Sequence, residues 1–548
     1  MEKKEEYLVV MDVPGIKKYV FGTDRLVEIR GASALLKRLN EEETPKFLDR
    51  TLGKDNYEKV FFGGGGGQFA ARTGKEELET CMRGLQKIFC NASKGGLHLL
   101  YGISEYTETA YRESLANAHL DLKRKKDGES IPSSAMLHTG FIRECDSCAG
   151  MASEYSDYAG EERVLCEVCA GKVKEGREKG LWKEFAEFLT QKEMHIHDSM
   201  RPDTFEEIGE CCKQKRGYTA LIYADGNAMG KLVKVIDSKE RFTLFSETVD
   251  NAIKTACHEA VHNNCPLSKV KTSADRKIIP AAILLLGGDD LLVYLTAEAA
   301  FPFAINVSRR FTEITRKEFA SASDSFFRDK LRGKGLSISL GIAYGKSHTP
   351  FSLLFGQAAE LLKSAKKAGS KQESAQNRDT KDKSKEDKSY YSPSFIDYHI
   401  ASQFNQIRVS DSRNHHLHLE KPSQVQLYQK PYSLEDAEIL LRHARSLLQS
   451  GIPGTRLKRL GYAPFYGKMN GSLECLKLYT RARKGEQREA ISTALNQFGC
   501  WKNMPWKEGK NSEGKSVTST MLTDLMEIVE FCNIRKHRQE EDHAPSSS

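Results

Sequence analysis

Short apolar runs interrupted by glycine alternate along this chain with stretches of helical periodicity. The clearest case is Ile283–Leu295, ILLLGGDDLLVYL, where two runs rich in Leu, Ile, Val and Tyr flank Gly287-Gly288-Asp289-Asp290. The runs predict paired buried strands, and the glycines permit the positive φ of a tight turn, so the segment reads as a β-hairpin with two carboxylates at its tip. Upstream, Thr219–Ala224 in YTALIYADGNAMG predicts a buried strand running into Asp225, with Gly226 and Gly230 around the start of a helix. Downstream, Leu336–Tyr344 predicts a further strand and Phe351–Gly369 a helix.

The same succession occurs once before. Residues 7–39 predict a strand ending in Asp12, a turn at Pro14-Gly15 and helical patterning, and Lys59–Arg72, KVFFGGGGGQFAAR, takes the hairpin position. The two segments read as copies of an internal repeat, with glycines in place of the hairpin acids. A glycine run also suits a flexible linker. Its flanks, Val60-Phe61-Phe62 and Phe69-Ala70-Ala71, instead place Gly64, Gly65 and Gly66 in a hairpin whose backbone can approach a ligand closely.

Between the copies, Cys145-Asp-Ser-Cys148 and Cys166-Glu-Val-Cys169 form two C-x-x-C knuckles. Such a pair presents four thiolates to one tetrahedral Zn²⁺ and leaves no open position, so a structural zinc is expected. Residues 171–216 are charged and helical in pattern, with Trp182, Phe185 and Phe188 directed inward; His195-Ile-His197-Asp198 reads as a polar loop rather than a nuclease metal site. Residues 369–393 are polar, charge-mixed and nearly free of aliphatics, which predicts a mobile insertion. Ser392–Gln403 restores a strand pattern. Beyond Lys421 helical patterning prevails, opening with a capping-box-like Ser433 and Asp436. The basic residues Arg442, Arg445, Arg456, Lys458 and Arg459 fit a solvated helix face, with contact to RNA as the alternative.

The expected fold class is α+β, in four parts: residues 1–138; 139–213, holding the zinc site and a helical linker; 214–410, with the insertion at 369–392; and an α-helical region at 411–548. A length of 548 residues accords with several domains, and a hydrophobic content of 39% can fill their cores. The net charge of +8, from 83 basic and 75 acidic residues, permits a polyanionic partner without requiring one. The chain has no apolar run of membrane-spanning length, its start lacks the apolar core of a signal peptide, and its 13 cysteines do not suggest a secreted disulfide framework. A cytoplasmic protein with no membrane partner is expected.

Two adjacent acids beside a buried ladder repel each other, and hard oxygen ligands suit Mg²⁺ or Mn²⁺. For Gly-Gly-Asp-Asp alone a solvated turn remains open; Asp225 on a neighbouring strand favours a two-metal site formed by Asp225, Asp289 and Asp290. Strand-Asp-helix followed by a GGDD hairpin resembles the palm domain of nucleotidyl cyclases, GGDEF diguanylate cyclases and the type III CRISPR large subunit. The order of a degenerate palm, a zinc insertion, a GGDD palm and a helical C-terminal region resembles that large subunit over nearly the whole chain, and Gly22–Leu36 resembles its first palm.

The resemblance implies two ferredoxin-like palms and synthesis of cyclic oligoadenylates from ATP. It also implies guide and target RNA as partners through other subunits. Asp225, Asp289 and Asp290 would then be catalytic. Asp289 would be the shared metal ligand. Gly226, Asn227, Gly230, Gly287, Gly288 and Lys366 would contact nucleotide, with Lys366, in the family's Ala-Lys pair, near the triphosphate. Gly64, Gly65 and Gly66 would approach the acceptor nucleotide. Many relatives have Asp where this chain has Asn227, so Asn227 is expected as a nucleotide or turn contact rather than a metal ligand. The chain opens almost directly into its first palm strand without an HD nuclease domain, and no DNA nuclease activity is expected. A catalytically silent RNA-binding scaffold and a stand-alone cyclic dinucleotide cyclase are the rival functions.

Overall fold

Side-chain alternation along two antiparallel β-ladders decides how the molecule is layered. The computed structural model describes residues 6–128, 143–158, 161–178, 180–270, 276–378, 390–401, 408–419, 424–496, 505–510 and 516–532. Strands β1 (Glu6–Asp12), β2 (Tyr57–Gly63), β3 (Gly66–Arg72) and β4 (Leu100–Glu105) form a sheet in the order β2-β3-β1-β4. A hairpin follows, β5 (Glu154–Tyr158) and β6 (Glu161–Leu165). The second half contains β7 (Tyr218–Gly226), the short pair β8 (Ser268–Lys269) and β9 (Lys277–Ile278), then β10 (Ala281–Gly287), β11 (Asp290–Thr296), β12 (Ile338–Lys346) and β13 (Phe395–Ile400). Last come β14 (His418–Leu419), β15 (Gln424–Gln426), β16 (Tyr432–Ser433), β17 (Lys507–Lys510) and β18 (Ser516–Ser519). The large sheet runs β10-β11-β7-β12-β13-β16, so its first four strands repeat the order of the first sheet. Both halves are βαββαβ palms.

The repeat holds residue by residue. Asp12 pairs with Gly66, while Leu291 pairs with Ala224, which sets Asp290 beside Asp225 in the same relation. Three residues after each aspartate a left-handed residue, Gly15 (φ 76°) or Ala228 (φ 57°), starts a short helix, Ile16–Phe21 or Met229–Val233. Both hairpins close on two-residue turns, between Gly63 and Gly66 and between Gly287 and Asp290. In each palm the later crossover helix lies almost on the backbone of the strand beneath it. A Cβ at Gly102 would stand 2.0 Å from the Ala118 carbonyl oxygen, and one at Gly341 2.3 Å from that of Ala358. These helices, Tyr111–Gly128 and Phe351–Arg378, carry Lys126 and Lys366 at equal distances from their starts. Lys126 pairs with Asp12 at 2.6 Å, and Lys366 pairs with Asp225.

The palms do not keep separate cores. On β7, Ala220, Ile222 and Ala224 face one apolar cluster, and Leu221 and Tyr223 face another, as period-2 alternation requires. The first cluster extends through Phe242 and Phe245 to Val10, Val60, Ala70 and Leu115 of the first palm. The second joins Phe351 and Leu354 to Val9, Phe21 and Leu35.

The module after the first palm docks through helix Glu167–Arg177, which crosses helix Leu26–Arg38 so closely that a Cβ at Gly31 would fall 1.8 Å from the Lys172 carbonyl oxygen. Phe185 is fully buried, while Trp182 and Phe188 are partly buried against the core. The C-terminal region is helical as expected, and Asp436 N–H donates to the Ser433 cap. It also carries the four-stranded sheet β14-β15-β18-β17, which its short strands had not announced.

One expectation is corrected. Residues 369–378, assigned by composition to the mobile insertion, continue helix Phe351–Arg378, and buried Glu373 within it is ion-paired to Lys231 at 2.9 Å. Residues 379–389 of that insertion lie outside the described residues. Among the described residues no helix is long and apolar enough to cross a membrane.

Candidate functional site

Asp225 sits within the end of β7, on the face that Leu221 and Tyr223 turn toward helix Phe351–Arg378, and there it meets Lys366. Asp289 is in the β10–β11 turn, and Asp290 is the first residue of β11. Gly226 makes the approach of hairpin and strand possible, since a Cβ there would lie 2.8 Å from Asp289 Oδ2. Gly288 has φ 59° and is needed for the turn; its N–H donates to Asp250 Oδ1 at 3.3 Å. Tyr223 Oη donates to Asp290 Oδ1 at 3.2 Å.

Burial, with Asp225 and Asp290 adding like charge, pushes the Asp289 carboxyl up to about 7. Burial and Asp225 also raise Asp290, opposed by Lys17, the Tyr223 hydroxyl and Lys366. Tyr223 is raised by its own burial and by the carboxylates around it. Three crowded hard-oxygen groups in such a place fit a divalent cation, which would relieve both the repulsion and the cost of burial. Asp225, Asp289 and Asp290 are neighbours rather than a closed ligand cage, with Lys366 engaging Asp225 and Tyr223 engaging Asp290.

Asp289 and Gly288 stand at one end of a cleft of about 270 Å³ between the palms. Its first-palm wall is Lys59–Gly63, and its second-palm wall includes Met229, Phe242, Phe245 and Asp250. The hairpin tips face each other, for a Cβ at Gly287 would come within 3.9 Å of Gly64 N. Gly64 (φ 60°) and Gly65 (φ 82°) are required by their turn, and a Cβ at Gly65 would strike Ile16 Cδ1. Gly66 is tighter than ordinary contact, 3.3 Å from the Met11 carbonyl oxygen, whereas Gly63 and Gly230 have open space. Asn227 is buried, and its side-chain NH₂ donates to Ser337 Oγ at 2.9 Å and to the Pro393 carbonyl at 3.2 Å, a turn contact of the kind expected for it.

The Sγ atoms of Cys145, Cys148, Cys166 and Cys169 all lie within 4.8 Å of one another. Thiolates around a tetrahedral Zn²⁺ stand about 3.8 Å apart, given Zn–S distances of about 2.3 Å, and Cys148 Sγ and Cys166 Sγ are already 3.6 Å apart. The donor set and its spacing fit zinc. His195 and His197 lie in an exposed loop.

Sequence reasoning missed three contributors, Tyr223, Asp250 and Lys17. Tyr223 was read only as strand filling, although its spacing of two from Asp225 places both on one face. Lys17, from the first palm, lies with Nζ 5.1 Å from the centre of the Tyr223 ring. No local pattern marks such a contact, because it joins residues some two hundred positions apart.

Paired palms with a carboxylate hairpin on one copy and a glycine hairpin on the other define a nucleotidyl-cyclase-like fold. Residues 218–375 match the family model of the Cas10/Cmr2 second palm domain. The second palm is therefore a Cas10/Cmr2 palm, and the chain that carries it shares its overall fold with chains of solved Csm1–Csm4 cassettes. It is similar to a solved Csm1–Csm4 cassette in complex with cA4, at 14% identity and a TM-score of 0.53, over 97% of this chain and 70% of that one. Cassettes in complex with cA3 and with pppApApA match over the same shares at 14% identity, with TM-scores of 0.53 and 0.54. No curated protein sequence matches the chain significantly.

Proposed function

We propose that this protein joins ATP molecules by 3′–5′ linkages into cyclic oligoadenylates, as the large subunit of a type III CRISPR complex. The observation that carries this reading is Asp289, crowded by Asp225 and Asp290, at the end of a cleft walled by both palms. In the reaction a ribose 3′-hydroxyl attacks the α-phosphorus of a neighbouring ATP, and pyrophosphate leaves. Mg²⁺ or Mn²⁺ ions held by Asp225, Asp289 and Asp290 would supply acidification of that hydroxyl and stabilisation of the leaving oxygens. Asp289 and Asp225 would hold the ions, with Asp290, steadied by Tyr223, beside them. Lys366 would exchange Asp225 for the negative charge of the pyrophosphate.

The cleft between Lys59–Gly63 and Phe242 is apolar and aromatic enough to receive a base, so the acceptor nucleotide is assigned to it. The cysteine cluster holds a structural Zn²⁺ that braces the module against the first palm. Guide and target RNA reach the protein through other subunits of the complex, in keeping with the Csm1–Csm4 pairing of the similar structures.

The test is incubation of the purified protein with ATP and Mg²⁺ or Mn²⁺, with and without the RNA-loaded complex, and identification of products by mass. Asp289→Asn with Asp290→Asn should keep the fold and lose every product. Unchanged yield from that double variant would refute the assignment.

A further inference from the structure

We propose that Lys17, which belongs to the first palm, binds a phosphate of the nucleotide held in the second palm's site. The proposal rests on the reading of that site as one that takes ATP. Lys17 lies on the helix Ile16–Phe21, one turn before Phe21, so the two side chains share a face. Phe21 fixes where that face points. Its ring lies 5.8 Å from Phe351 and 4.5 Å from Phe355 of the second palm, and Phe355 in turn lies 5.6 Å from Tyr223. Asp24 adds a second anchor by accepting from Ser352 N–H at 3.1 Å, at the start of the helix that carries Lys366. Lys17 is thereby held against Tyr223, whose hydroxyl is bonded to Asp290.

Two cations thus serve the three aspartates, and they differ in state. Lys366 is committed to Asp225, whereas Lys17 is exposed and makes no ion pair among the described residues. An exposed ammonium near acids that it does not touch is available for a mobile anion. The repeat sharpens the point. Five residues after Asp12 comes Lys17, and five after Asp225 comes Gly230, with the intervening left-handed residue and helix start in register. The palm that retains the hairpin acids receives a lysine from its neighbour. At the equivalent position of the second palm's own helix stands a glycine, which carries no charge to offer in return. A divalent ion with its triphosphate brings negative charge only to the first of these places, and the cation is found there.

The experiment measures binding of α,β-methylene ATP, which cannot release pyrophosphate, to the full-length protein in Mn²⁺ by calorimetry. Adenosine and Mn²⁺ alone are titrated in parallel. Lys17→Ala should weaken the analogue about tenfold, the scale of one lost charge-assisted bond, and leave adenosine, Mn²⁺ alone and the melting temperature unchanged. Lys17→Arg should keep most of the affinity. Wild-type affinity for the analogue in Lys17→Ala overturns the proposal, as does an equal loss for adenosine or a loss of Mn²⁺ binding alone, either of which would make Lys17 a structural prop. If the wild-type protein binds neither the analogue nor adenosine, the reading of the site as an ATP site fails and this proposal fails with it; binding by wild type with no effect of Lys17→Ala removes this proposal alone.

Discussion

Adding one methyl group at Gly226 tests the site without touching a charge. In Gly226→Ala the new Cβ would lie 2.4 Å from Met229 Cε, 2.6 Å from Met229 Cγ and 2.8 Å from Asp289 Oδ2. The unbranched methionine must change rotamer from its Cγ outward to clear the methyl group, while the carboxylate is fixed by a two-residue turn and by its crowded neighbours. Reaching an ordinary contact of 3.4 Å requires Asp289 to retreat by about 0.6 Å. Overpacking of this kind costs about 1–3 kcal/mol of stability. Displacing a catalytic group by up to about 1 Å costs as much as about 100-fold in rate. Gly226→Ala should therefore melt only slightly below wild type, bind Mn²⁺ more weakly and make product at least about tenfold more slowly. Gly356→Ala, in the helix that carries Lys366, is the control, because its Cβ meets nothing within 4 Å. Product yield and Mn²⁺ affinity would be measured on both variants. Wild-type turnover in a folded Gly226→Ala would refute the placement of Asp289 against β7.

Other outcomes follow from the same geometry. Without metal, folding keeps on Asp289 a proton that the unfolded chain, with a carboxyl near 3.9, would have released, so stability should fall between about pH 4 and pH 7 and then level off. Denaturant melts in chelator should show that slope for wild type and a shallower one for Asp289→Asn; identical slopes would contradict it. Cys166→Ser replaces a soft thiolate and should release zinc, with faster amide exchange over residues 143–172, and metal analysis finding no zinc in wild-type protein prepared without chelator would refute the site. Gly63→Leu should fill the cleft and block synthesis while sparing Mn²⁺ binding, because its Cβ meets nothing within 4 Å. Valines at Gly65 and Gly66 would be a poorer probe, since Gly65 needs its positive φ and abuts Ile16.

What could be read in the sequence was local. The hairpin Ile283–Leu295, the Asp225 strand and the cysteine knuckles each declare themselves within a few residues, through period-2 burial, turn glycines and ligand spacing. The repeat was legible for the same reason, since Asp12 and the glycine run keep the spacing of the later copy. Contacts between distant segments were not. Lys17 against Tyr223, Asp250 beneath Gly288 and Asn227 pinned to Ser337 depend on how elements pack, and no single stretch encodes them. Composition misled at residues 369–378, where a polar segment poor in aliphatics continues a helix, its Glu373 finding Lys231 across the fold. A solvated amphipathic helix and a polar linker share one composition, and only the tertiary partner separates them.

Because each apolar cluster draws side chains from both palms, the halves of the repeat should melt in a single cooperative step. Cutting the chain between them would bare Phe242, Phe351 and Phe355 on one fragment and Phe21 and Phe61 on the other, surfaces that invite aggregation. A duplicated copy in this position can lose its acids through mutation, but deleting it would strip the aromatic contacts that its twin makes with it. The persistence of a palm without hairpin carboxylates thus has a folding cause that operates whether or not that palm touches substrate.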